Sequence, residues 1–225
     1  MVDTLYSIFV KDGAWLTILN GLWATVQISA LSLIIGTILG ALICYLRMSN
    51  INAAKIFAQG YIAIIRGSPV LMLLMLMFYG IFARTDLAPL TIAVITFSMH
   101  TAAYVAELLR STLMAVDKGQ LEAARTLGFS KVQAFRLVAI PQIIQIAKPV
   151  YQSTIINLIQ WTSVVGYVSI TDLTRVINNT AARTMQPMIT IIGGIILYLA
   201  LSYIVHGIFS LHDKFEHRKR EESKL

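Results

Sequence analysis

Charge is what this sequence has least of. Asp, Glu, Lys and Arg make up 13% of its 225 residues, about half of the roughly one quarter usual in a soluble domain. The few charges are clustered, and long runs carry none. That pattern excludes a water-soluble globule. With 57% hydrophobic residues and a mean hydropathy of +0.73, the chain reads as an integral membrane protein. Cysteine is nearly absent: Cys44 stands alone in an apolar run, so it forms no internal disulfide and reads as a small core residue. No G-x-x-x-x-G-K-[ST] phosphate loop occurs, which argues against an ATPase of that type in this chain. The four histidines, at positions 100, 206, 212 and 217, have no metal-ligand spacing within the apolar runs, which argues against a membrane-embedded enzyme. The N-terminus lacks the basic region and small-residue cleavage site of a signal peptide and reads as retained. The net charge of +7 reflects Lys and Arg left on one side of a membrane rather than nucleic-acid binding.

A membrane-spanning helix takes about 20 mostly apolar residues. Five stretches fit, at about 20–46, 58–82, 88–109, 149–168 and 188–210, the fourth being the least apolar. Residues 5–18 resemble a short interfacial helix before the first span. The expected class is therefore an all-α membrane protein, one domain over 1–225. The connections at 47–55 and 110–148 and the tail after 210 hold thirteen Lys and Arg, against four (Lys11, Arg84, Arg175, Arg183) in the opposite set. The positive-inside rule then puts the N-terminus outside and the C-terminus in the cytoplasm. The basic tail after 213 is expected at the anionic inner leaflet.

The longest connection, about 110–148, is cytoplasmic in this scheme, and its composition is that of ordered structure. Asp117 and Gln120 have capping-box spacing, 120–127 are good helix formers, and Gly128 suits a C-cap. Ser130 and Gln133 repeat the capping spacing, and a second helix over about 131–140 is expected to stop before Pro141. Leu121, Ala124 and Leu127 form a thin apolar seam with Glu122 and Arg125 beside it. Such a helix suits either insertion into another protein's groove or packing on its own bundle or on headgroups.

Charged residues inside a span carry a cost of about 2.5–3.5 kcal/mol at the bilayer centre and need a reason. Arg66 and Glu107 lie at similar depth, so an ion pair between them is possible, with Arg110 competing for Glu107. Either the pair fixes the bundle or Glu107 faces a pathway. His100, Tyr104, Glu107 and Ser111 share one helical face, and Ser153, Asn157, Gln160 and Val164 share another, with Trp161 beside it. These stripes suit either an aqueous cavity or interhelix hydrogen bonds, and His100 taken alone suits helix packing. Pro69 should kink span two, with Gly67 adding freedom. Gly193-Gly194 suits close helix approach, within the chain or between copies.

Several of these residues fall into a known pattern. Glu122-Ala123-Ala124, then Gly128, then Val138-Ala139-Ile140-Pro141, resemble the EAA motif of bacterial ABC importer permeases. Gly119-Gln120 and Gln142 resemble the polar amino acid uptake subfamily, the histidine, glutamine and arginine type. Gly21 and Thr25, Arg66-Gly67-Ser68-Pro69 (for RGTP), Ala103-Tyr104 with Glu107 and Arg110 (for AYxxExxR), and Thr162-Ser163 agree in order and spacing. The resemblance covers about 18–212. It implies a type I ABC importer permease fold in the bacterial inner membrane. The implied partners are a cytoplasmic ATPase dimer that binds ATP and Mg, a second permease, identical or paralogous, and an extracytoplasmic amino-acid-binding protein. It also implies that Gly119, Gln120, Glu122, Ala123, Ala124, Arg125 and Gly128 form the coupling element toward the ATPase. The pathway would then draw on Arg66, Ser68, His100, Tyr104, Glu107, Asn157, Gln160, Trp161, Thr162 and Ser163, with Gly67 and Pro69 at a gate. Gln160-Trp161 replaces the subfamily's Lys-Asp and Leu73 a frequent Gln, which bears on which amino acid is carried. A secondary transporter is the rival reading. The lack of an internal repeat and the ordered loop argue against it.

Overall fold

The computed structural model describes residues 6, 8–10 and 13–222, and among these every regular element is helical. In chain order they are α1 (Ala14–Met48), α2 (Asn52–Gly67), α3 (Val70–Met75) running into a π-turn (Leu76–Ile81), and α4 (Pro89–Ala115). Next come α5 (Lys118–Thr126), α6 (Lys131–Ala134), a second π-turn (Phe135–Ala139), α7 (Ile140–Trp161) and a 3-10 segment (Thr162–Val168). The last two are α8 (Leu173–Thr184) and α9 (Pro187–Glu222). Among the described residues three helices are long and apolar enough to cross a membrane: α1, α4 and the Pro187–Phe215 part of α9. A fourth crossing exists if α2 and the α3 stretch count as one broken span. At 22 residues, α7 has the length, about 33 Å at 1.5 Å per residue. Gln142, Gln145, Lys148, Gln152, Asn157 and Gln160 keep it below the apolar standard of the other three.

Several boundaries differ from the sequence expectation for local physical reasons. Span two, expected as one kinked helix over 58–82, starts at Asn52 and breaks outright at Ser68-Pro69. Ser68 is extended (φ −98°, ψ 139°), as a residue before proline prefers. Its hydroxyl donates to the Ile64 carbonyl at 2.8 Å, taking up an acceptor that the lost helical turn frees. Pro141, expected to end a helix, lies inside one. The π-turn before it is wide, with Ile140 N–H bonded to Phe135 O, so the helix runs on through the proline position. Of the expected helix over 5–18, residues 6, 8 and 9 are helical, and 14–18 belong to α1. Residues 5, 7, 11 and 12, and the side chains of the basic tail from 216, lie outside the described residues. The sequence reading had no helix between spans four and five, where α8 stands. Asp172 caps it, accepting from the backbone N–H of Thr174 and Arg175. Its buried side, Leu173, Val176, Ile177 and Thr180, follows helical spacing.

The chain forms two compact units whose boundary runs through α1, α4 and α7. One comprises Met1–Leu31, Val70–Thr96 and Ile155–Leu225. Its core is Ile18, Leu173, Val176 and Ile177, with Phe9, Leu22, Leu197 and Tyr198 against it. A Cβ on Gly21 would lie 2.9 Å from the Asp172 carbonyl oxygen, and Thr25 Oγ1 accepts from Leu173 N at 3.2 Å. These two residues seat the capped end of α8 on α1. Gly193 and Gly194 both pack inside this unit, against Phe9 and Ile177. The other unit comprises Ser32–Pro69 and Phe97–Thr154. Ile43, Cys44, Ala58, Ile62 and Ala106 form its core, so Cys44 is a packing residue. Here α1 and α4 touch through Gly36 and Gly40, where an added Cβ would fall 2.7 Å from Thr101 Cβ and from Val105 Cβ. Tyr61 donates to the Met99 carbonyl at 2.6 Å, and Thr37 bonds Tyr151 at 2.7 Å.

Candidate functional site

The stretch 117–142 is fixed by its own hydrogen bonds. Asp117 Oδ1 accepts from Gly119 N at 2.8 Å, which starts α5. The other half of the expected capping box does not form: Gln120 Oε1 instead accepts from Gln142 Nε2 at 2.8 Å, tying α5 to α7. At the far end, Gly128 N bonds Arg125 O and Phe129 N bonds Ala124 O, the two bonds of a Schellman cap. Gly128 has φ +91°, a conformation that L side chains rarely adopt. The Ser130–Gln133 capping box is complete in both directions. The result is helix, glycine turn, helix, with Ala124 packed inward and Glu122, Ala123 and Arg125 on the outer surface.

Leu127 departs from the expected seam. It is 81% exposed, whereas Ala124 is buried. Steps of three residues drift around a 3.6-residue helix, so the sixth residue along lies on another face. Leu127, Phe129, Val132 and Phe135 are exposed apolar residues of this element, and of these the sequence reading named only Leu127.

In the unit that holds Arg66, His100, Tyr104 and Glu107, Arg110, the competitor named from the sequence, takes Glu107 in place of Arg66. Glu107 accepts from Arg110 Nε (3.1 Å) and Nη2 (2.5 Å), and its other oxygen meets Arg47 Nη1 at 3.0 Å. Arg66 lies with its guanidinium carbon 5.0 Å from the Tyr104 ring centre, a cation–π distance. His100 is buried with its ring 5.0 Å from Tyr104. Arg47 went unnoticed in the sequence because it is sixty positions from Glu107. Its one signal is that it ends the first span on the side where Glu107 ends the third.

Asn157, Gln160, Trp161, Thr162 and Ser163 belong to the other unit. Asn157 and Gln160 are exposed and Ser163 is half-buried. Thr162 is fully buried, its hydroxyl donating to the Ile159 carbonyl at 2.7 Å at the end of α7. Gln160 lines an open cavity of about 300 Å³ with Thr174, Asn178, Tyr198 and Ser202 among its walls. Behind this wall Asp172 is fully buried and Tyr198 bonds Thr174 at 2.8 Å. Burial pushes the Asp172 carboxyl above its ordinary range, opposed by the N–H groups of Arg175 and Thr174. Sequence reasoning missed Asp172, Thr174 and Asn178. The cue was present in DLTRVINNT, an N-cap residue followed by apolar residues at helical spacing. Among the described residues no three of His, Cys, Asp or Glu are grouped to hold a metal ion.

Comparison with known proteins agrees with this architecture. The family model described as "Binding-protein-dependent transport system inner membrane component" matches residues 32–218. The chain is 32% identical over 203 residues to the probable amino-acid ABC transporter permease protein YckA of Bacillus subtilis (strain 168), covering 89% of each chain. It is 31% identical over 213 residues to the L-cystine transport system permease protein TcyB of the same organism, covering 92% of this chain and 91% of that one. Among solved structures, the crystal structure of an amino acid ABC transporter with histidines matches with a TM-score of 0.79 at 30% identity, over 88% of this chain and 93% of that one. The all-helical fold, with three apolar helices or four counting the broken pair, is that of an ABC importer permease, and the chain belongs to the family of inner membrane components of binding-protein-dependent transport systems.

Proposed function

We propose that this chain is the permease subunit of an ATP-driven importer that carries a polar amino acid across the bacterial inner membrane. The observation that carries the proposal is the 117–142 element, which is locked internally by its caps and by the Gln120–Gln142 bond yet presents Glu122, Ala123, Arg125 and Leu127 outward. A rigid protrusion of this kind passes a push from a partner to the helices on either side of it, α4 and α7. The partner is a cytoplasmic ATPase pair, which supplies the ATP and Mg chemistry. Five crossings, N-terminus outside, are reached by adding the broken pair and α7 to the three apolar helices. The polar face of α7 then lines a pathway instead of meeting lipid, which relieves the cost of its amides. The whole chain, 1–225, works as one permease domain beside a second permease, identical or paralogous, and takes substrate from an extracytoplasmic binding protein. The amino-acid names of its relatives support the substrate class.

Within this scheme Glu107, held by two arginines, clamps the end of its unit, and Gly67 with Pro69 forms the hinge of span two. Uptake of labelled L-histidine, L-arginine and L-glutamine into proteoliposomes tests the proposal, with the complex assembled with and without its ATPase. Accumulation that requires both the ATPase and ATP is expected. Accumulation that follows an ion gradient with the ATPase absent would show a secondary transporter instead.

A further inference from the structure

A second open cavity, of about 520 Å³, lies between the 3-10 segment Thr162–Val168 and α8 and is lined by Ser163, Gly166, Tyr167, Thr174, Arg175 and Asn178, with Val164. Its size is within the roughly 300–1,000 Å³ of small-molecule sites. Arg175 is the charged residue in its wall. Among the described residues the Arg175 side chain has one polar partner, the Gly166 carbonyl, which accepts from Nη1 at 2.6 Å. The neighbouring acid does not neutralise it by a direct pair. Asp172 accepts from backbone N–H groups, Oδ1 from Arg175 and Oδ2 from Thr174, each at 3.0 Å, and Oδ2 also accepts from the Tyr198 hydroxyl at 3.4 Å. The Gly166 bond therefore holds the guanidinium through one of its donors, and the half-buried side chain lines the cavity. A held guanidinium with parallel free N–H groups matches a carboxylate, which it binds in a bidentate fork. A cation in the first turn of a helix is also opposed by the helix dipole, so its place in α8 needs a reason beyond local stability. Thr174 and Asn178 line this cavity and the cavity of Gln160 alike, so α8 presents one polar wall to both.

We propose that this cavity is a binding site for the α-carboxylate of an amino acid, clamped by Arg175 and flanked by Ser163 and Asn178, with the rest of the molecule reaching along Asn178 toward Gln160. The proposal rests on the amino-acid permease reading and adds to it a site and an anchor. It is tested with the full permease–ATPase complex in nanodiscs of zwitterionic lipid, without the binding protein. Binding of radiolabelled L-histidine, L-arginine and L-glutamine is measured, with displacement by the unlabelled acid and by its α-methyl ester. For at least one of the three, the wild-type complex binds the acid at least tenfold more tightly than the ester. Arg175→Gln brings the acid down to the affinity of its ester, and Arg175→Lys, which keeps the charge and loses the fork, retains part of the preference. A purely structural Arg175 would weaken acid and ester together. Equal binding of acid and ester by the wild type overturns the site with no substitution involved, so a variant that fails to assemble does not shield it. An intact preference in Arg175→Gln, or no saturable binding of any of the three acids, overturns it as well. ATP-dependent uptake by the wild-type complex is followed in parallel. If uptake holds and the preference is absent, the Arg175 site alone is lost; if uptake of every amino acid fails, the permease reading is lost with it.

Discussion

Gly40 and Gly60 make a controlled pair of residues. Both are helical, but a Cβ on Gly40 would fall 2.7 Å from Val105 Cβ, whereas a Cβ on Gly60 meets nothing within 4 Å. Alanine gains about 1 kcal/mol over glycine in a helix interior, and overpacking costs about 1–3 kcal/mol. Gly60→Ala is therefore expected to raise the melting temperature of the purified permease in detergent, and Gly40→Ala to lower it. Equal shifts would show that the α1–α4 contact is not tight. Glu107 gives a second prediction. Its carboxylate meets two arginines at about a quarter exposure, so Glu107→Gln leaves a pair of like charges without their acid. Breaking one side of a buried pair costs about 3–5 kcal/mol, and the partial exposure here brings the expectation down to about 1–3 kcal/mol. The same melting assay checks it, and combining the change with Arg47→Gln should recover part of the loss. Residue types were legible in the sequence here, and so was the i, i+3 pair Glu107–Arg110. The Arg47 contact was not, because helix periodicity reports faces within one helix and never which other helix meets them.

Elements were legible where their ends carry chemistry. The Ser130–Gln133 box and the Gly128 stop are written in side chains, and both form as expected. Gln120 was misjudged because its spacing satisfies a capping box while a partner 22 residues on competes for the same side chain. The two prolines show the limit of local rules. Pro69 follows an extended residue and breaks its helix, and Pro141 follows a π-turn and does not. No dipeptide rule separates them, since the difference lies in the hydrogen bonding of the turn before. At this scale Gly128→Ala forces a β-carbon into the left-handed region, at a cost of about 1–2 kcal/mol. Hydrogen exchange should then quicken across 118–134 and stay unchanged in α4. Exchange that is unaltered in both would mean that the turn is not fixed by its glycine.

For the whole molecule, composition sufficed to place the chain in a membrane, and the motif order sufficed for the family that the family match independently gives. Three helices, or four with the broken pair, meet the apolar standard of a span, and α7 falls short of it because it carries amides and Lys148 where a lipid-facing helix would carry leucine. The proposed fifth crossing accounts for this, since a helix that lined a water-filled route would have no need of full apolarity. In the proposed scheme the outward-facing part of 117–142 is the surface that meets the ATPase. The most direct measurement is therefore ATP hydrolysis and amino-acid uptake recorded together in proteoliposomes, for the wild type and for the double variant Glu122→Lys/Leu127→Asp. Both positions lie on the surface, so the fold should survive. The variant complex is expected to lose at least nine-tenths of its ATP-driven uptake, with binding-protein-stimulated hydrolysis falling in step. Uptake by the double variant at the wild-type rate would contradict the coupling role of this element.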